Sequence, residues 1–101
     1  MFTFEDFLTV PAESIREFIA AADKRVLAVA LKGSRDNLKA HLFKAMSSRA
    51  VEMLKEDMEV MGPVRMKDVG LAQQELLALA RQLESDGRMT LKLEVDDDLA
   101  V

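Results

Sequence analysis

The sequence predicts an all-α domain: an armadillo-like right-handed superhelix of about six helices, followed by a short extended C-terminal segment. Three observations carry this. Apolar residues recur at three- and four-residue spacing in five successive segments. Helix start and stop residues punctuate the chain throughout. The connections are short, yet the helices differ in length and one is apolar nearly all round, which favours stacked helical hairpins over an up-and-down bundle.

Taken in order, "FEDFL" is expected to form a short first helix. "PAESIREFIAAA" places Pro11 in the first helical turn, where the missing N–H costs nothing, and Ile15, Phe18, Ile19 and Ala22 share one face. "DKRVLAVALKG" has Asp23 as N-cap and Gly33 as the residue past its end. Its Val26, Leu27, Val29, Ala30 and Leu31 point in nearly every direction, as in a helix buried mid-domain. "SRDNLKAHLFKAM" starts at Ser34 or Asp36 and turns Leu38, Leu42, Ala45 and Met46 inward. The next helix runs from a Ser47 cap to the Gly62-Pro63 stop. The longest spans about Met66 to Asp86, with Val69, Ala72, Leu76, Leu79, Ala80 and Leu83 on one face and Gly87 ending it. "MTLKLEV" alternates as an extended segment would, and Asp96, Asp97 and Asp98 belong to an exposed tail.

At 101 residues the chain is one domain, shorter than a typical enzyme. Half its residues are hydrophobic and 32% are charged, which fits a globular chain and not a disordered one. All five aromatics are Phe, so the core must be aliphatic and filled out by methionine. The absence of cysteine excludes disulfides, thiolate nucleophiles and zinc–thiolate sites, and suits a reducing cytoplasm. A formal net charge of −4 argues against a general nucleic-acid binder. The N-terminus is acidic, unlike a secretory signal, and no apolar run is long enough to span a bilayer.

The helix over "SSRAVEMLKEDMEVM" carries the one pattern that asks for a partner. At about 100° per residue, Ala50, Val51, Leu54, Met58 and Met61 fall in one sector, with Leu54 and Leu76 of the last helix expected in the core. Arg49, Glu52, Glu56 and Glu59 fall opposite, with Lys55 and Asp57 at the borders. Arg49 and Glu56 lie about 10 Å apart along the axis, too far to pair, whereas Glu52 is spaced to bridge to Arg49 or Lys55. Such a run is most often a solvated face with ion pairs of about 0.2–0.5 kcal/mol each. Two features point further: Met53 and Val60 stand among the charges, and Arg65 adds a cation beyond the helix end. A mixed-charge ridge with apolar spots suits a weak, repeatedly engaged protein interface.

Other sites are poorer. His41, the only histidine, has no Cys or carboxylate at ligand spacing and reads as a surface residue. The Asp96–Asp98 run lacks the glycine and glutamate of a calcium loop. Most of the seven methionines sit at core spacing. No phosphate loop or Ser/His/Asp triad occurs, so neither an enzyme nor a cofactor or metal is expected.

"MFTF" with "FEDF", "LAVALKG", "MSSRAVEMLKEDMEVMGPVR", "KDV" with "AQQ", and the acidic "DDDLAV" end occur in an order and spacing that resemble the C-terminal domain of the flagellar motor switch protein FliG over essentially residues 1–101. The resemblance implies an armadillo-like superhelix whose last six helices follow a Met-Phe-x-Phe hinge, here Met1, Phe2, Thr3 and Phe4. It implies an exposed charged helix that meets the cytoplasmic loop of the stator protein MotA, where torque arises. Carried onto this chain, the torque charges are Lys32, Arg49, Glu56, Asp57 and Arg65, all expected at or near the surface. Counting around the helix isolates Arg49, Glu56 and Arg65, but leaves Lys32 merely the residue before a helix end. Glu56 departs from the Asp of the best-known members; the sign is kept and the reach lengthened. The resemblance further implies neighbouring FliG subunits and FliM as partners, and a place at the flagellar basal body on the cytoplasmic side of the inner membrane. It also makes the chain a piece of a protein roughly three times longer, without the membrane-ring and FliM-binding domains. The rival expectation is a helical adaptor that turns the same face to a soluble partner; a gene lying among flagellar genes separates the two.

Overall fold

A computed structural model describes residues 2–91; Met1 of the expected hinge, the end of the extended segment (residues 92–95) and the Asp96–Asp98 tail lie outside the described residues. The described chain is all-helical, with a 3-10 helix Phe4–Thr9 followed by α1 (Ala12–Ala21), α2 (Lys24–Lys32), α3 (Asp36–Lys44), α4 (Ser48–Met61) and α5 (Met66–Ser85). These are the short first helix expected over FEDFL and the five helices that the apolar spacing predicts.

Most boundaries follow from the expected chemistry. The Asp23 carboxylate accepts from the Arg25 and Val26 amides at 2.9 and 3.1 Å, and the Ser47 hydroxyl accepts from the Ala50 amide at 3.1 Å. Each satisfies donors that the first helical turn leaves open. Gly62 and Gly87 end α4 and α5 with φ of 68° and 78°, a region that disfavours any side chain. The start of α3 differs from expectation. Its cap position is Arg35, without a side-chain cap, while the Ser34 hydroxyl donates back to the Ala30 carbonyl at 2.9 Å. Ser34 therefore serves the end of α2, and Asp36 stands inside the first turn, where its charge suits the helix dipole.

Helix α2 forms the centre. Leu27, Ala28, Ala30 and Leu31 are fully buried, and the helix packs mainly on α5 and secondarily on α4. Around it, the 3-10 helix and α1 meet α3 and α5. Phe7 is the hub of this second region: Phe2 and Phe4 meet its ring edge-on at 5.2 Å each, and Phe18 lies against it at 4.7 Å. His41 is not a plain surface residue; it is half-buried, and its Nε2 donates to the Val10 carbonyl at 2.9 Å, tying α3 to the end of the 3-10 helix. Residues 88–91 return to α1. Arg88 donates twice to Glu17 Oε1, the Thr90 amide donates to Ser14 Oγ at 3.1 Å, and Met89 and Leu91 are buried on either side of exposed Thr90.

Gly33 is needed for space and not for conformation. Its φ of −100° is open to other residues, but a Cβ there would stand 2.5 Å from Val69 Cγ1. Val69 is itself buried and β-branched, so it has no easy rotamer of escape. We expect Gly33→Ala to destabilise the domain by about 1–3 kcal/mol through overpacking. Gly70→Ala, in helix α5 with nothing within 4 Å of the added methyl, should instead stabilise by about 0.5–1 kcal/mol. Midpoints of urea denaturation check both; equal shifts would show that Val69 yields freely.

Candidate functional site

Helix α4 presents far more surface than it hides. Leu54, 3% exposed, is its one buried residue, and Ala50, Val51, Met58 and Met61 are half-buried beside it. The stripe predicted from spacing is thus the inward face, though a narrow one. Arg49, Glu52, Lys55, Glu56, Asp57 and Glu59 are all exposed, and so are Met53 at 58% and Val60 at 82%.

The charges along α4 are left free. Among the described residues none of them forms an ion pair, and the bridge from Glu52 to Arg49 or Lys55 that the spacing permits is not made. Ion pairs form elsewhere, between Lys39 and Asp36 and between Arg88 and Glu17. Lys55 alone has an aromatic neighbour, its ammonium standing 5.5 Å from the centre of the Phe43 ring on α3.

Of the five charges assigned by resemblance, Arg49, Glu56 and Asp57 lie on this face. Arg65 follows the connection from α4 at the cap position of α5, where its Nε is 3.2 Å from Asp68 Oδ2. Lys32 lies elsewhere. It ends α2, is half-buried, and its ammonium donates to the Met58 carbonyl in the last turn of α4 at 2.9 Å. In the hinge segment Thr3 is exposed, Phe2 half-buried and Phe4 7% exposed. That segment is also capped, because the Asp6 carboxylate accepts from the Thr3 amide at 2.8 Å.

One feature was not legible in the sequence. A groove of about 740 Å³ runs beside Arg65 between α2, the end of α4 and α5, floored by Val26, Val29, Met61 and Val64. Exposed Val60 and Leu71 stand on its walls, and they were its only signal, as apolar residues off the core stripes. Among the described residues no group of His, Cys, Asp or Glu is arranged to hold a metal ion, and no helix is long and apolar enough to cross a membrane. The face offers fixed charges and apolar spots, which suit recognition of a complementary surface.

A family model for the FliG C-terminal domain matches residues 1–91. The chain is 47% identical over 91 residues to the flagellar motor switch protein FliG of Thermotoga maritima, which covers 90% of the chain and 27% of that protein. It is 41% identical over 101 residues to FliG of Borreliella burgdorferi, covering all of the chain and 29% of that protein. The chain therefore spans less than a third of these curated relatives. Among solved structures it is similar to a FliG fragment from Helicobacter pylori (TM-score 0.88, 38% identity, 91% of this chain and 40% of that one). It is also similar to full-length FliG from Aquifex aeolicus (TM-score 0.82, 34% identity, 86% and 27%).

With no ion pair among the described residues, Arg49, Glu56 and Asp57 should matter little to folding. Arg49→Gln, Glu56→Gln and Asp57→Asn are each expected to change stability by less than about 0.5 kcal/mol in chemical denaturation. A loss above about 1 kcal/mol in any of them would reveal an internal contact.

Proposed function

Because the chain belongs to the FliG C-terminal domain family of flagellar motor switch proteins, we propose that it is the torque-receiving module of a flagellar rotor subunit, acting as a mechanical component and not as an enzyme. The observation that carries this reading is the row of exposed α4 charges that form no ion pair among the described residues. A stator loop of MotA carrying complementary charges meets that row, with Arg49, Glu56, Asp57 and Arg65 read as a pattern. Lys32 belongs to the same assignment by resemblance.

Physical magnitudes suit such a contact. An exposed ion pair contributes about 0.2–1 kcal/mol and is screened by salt, so single pairs form and break readily. Several acting together still oppose misplaced charge, because like charges brought face to face repel. Under this reading the domain sits at the basal body on the cytoplasmic side of the inner membrane, beside neighbouring FliG subunits and FliM. The segment Met1–Phe4 is the hinge about which it turns.

The test uses a motile host whose own FliG C-terminal domain is replaced by this chain. Single neutralisations on the face should reduce swimming in part. Reversal at Arg49 or Asp57 should reduce it more, and stator variants with opposite reversals should restore it. Normal swimming of stable, assembled reversal variants with the unaltered stator would refute the reading.

The hinge is tested best through Phe2, since Phe4 belongs to the buried core. Phe2→Ala should bias the direction of rotation while the domain stays folded. Unchanged switching at normal protein levels would remove the hinge from this segment.

A further inference from the structure

We propose that Lys32 is a positioning residue: it fastens the last turn of α4 to α2, and it influences a partner through the place it gives the charged face and not by meeting the partner itself. The proposal rests on the torque reading for what that face does.

The hydrogen bonds at the end of α4 supply the argument. A helix leaves its last four carbonyls without intrahelical donors. In α4 the shortage begins at Met58, whose regular donor would be the Gly62 amide four residues on. The Gly62 amide donates instead to the Glu59 carbonyl at 3.2 Å, and the chain leaves the helix there with Gly62 at φ 68°. The donor that reaches Met58 is the Lys32 ammonium, at 2.9 Å and partly buried. A cation at a helix C-terminus is also favoured by the helix dipole.

The same chemistry appears at the other end of α2. Lys24, its first residue, donates to the Ile19 and Ala22 carbonyls at 3.1 and 3.4 Å, where α1 ends. The two lysines that bound α2 thus each serve the C-terminus of a neighbouring helix.

Position makes the tie at Lys32 the more consequential. Helix α4 packs mainly on α2 and buries only Leu54 fully, so few contacts compete in fixing its far end. The next residue, Gly33, is pressed against Val69 of α5. One dipeptide therefore refers both the end of α4 and the start of α5 to α2, and with them Asp57, Glu59 and Arg65. An ammonium held inward on a backbone carbonyl is poorly placed to serve as a free charge on the outer face.

The experiment compares amide hydrogen exchange in the 101-residue chain for Lys32→Met, which keeps the stem, Lys32→Arg, which keeps the charge, and Arg49→Gln as an exposed control. Lys32→Met should speed exchange at Val60, Met61 and Gly62 by about tenfold relative to α5, the loss of one charge-assisted hydrogen bond. Lys32→Arg should recover much of that protection, and Arg49→Gln should leave it unchanged. In the motile host, swimming lost in Lys32→Met should return in Lys32→Arg. Stator reversals that suppress Arg49→Glu should not suppress Lys32→Glu.

Unchanged exchange in Lys32→Met overturns the proposal, as does suppression of Lys32→Glu by those stator reversals. If Lys32→Met does not fold, the unaltered chain decides. Its Lys32 ammonium should give a slowly exchanging NMR signal where exposed Lys55 does not, and equal fast exchange overturns the proposal. Failure of the torque reading would show separately, as Arg49 reversals without effect on swimming, and the exchange result would stand apart from it.

Discussion

Gly33 lies against Val69 with no room for a methyl group between them, which lets α2 close on α5, the helix it packs against most extensively. Helix α2 can be buried on several sides because it is short and rich in small residues, with Ala28 and Ala30 fully enclosed. Its leucines fill the space towards its neighbours, and its terminal lysines donate to carbonyls at the ends of α1 and α4. The central helix is therefore both the apolar core and the polar fastening of the domain.

The charged face has a different energetic character. Full burial of a side chain such as Leu54 is worth about 1.5–3 kcal/mol, several times what an exposed ion pair supplies. Folding accordingly depends on the inner stripe of α4 and is nearly indifferent to the outer one. That separation allows the outer charges to be arranged for recognition without cost to the core. It also leaves Met53 and Val60 exposed among them, which folding alone gives no reason to keep.

Elements with local chemical causes were legible in the sequence. The caps at Asp23 and Ser47, the glycine stops at Gly62 and Gly87, and the inward stripe of α5 depend on neighbouring residues and on helical period, both visible in one dimension. What was missed depends on contacts distant in the chain. The space taken by Val69 beside Gly33, the carbonyl that receives Lys32 and the tie from His41 to Val10 each join segments far apart in sequence. Ser34 is the instructive near miss: a good cap residue in the right place, drawn instead to the preceding helix. For the candidate site, spacing separated Arg49, Glu56 and Arg65 from the core stripe. It had nothing to say of Lys32, because a lysine before a glycine looks the same whether its head meets solvent or a carbonyl.

That α4 is held by one fully buried residue bears on how the domain yields under load. Local opening costs least where few apolar contacts must be broken, so α4 forms a softer cooperative unit than the enclosed α2. If the outer face bears load as proposed, α4 is the element expected to open locally before the core does. Under the torque reading, the domain therefore presents its charges on its less buried helix and keeps the enclosed α2 behind it.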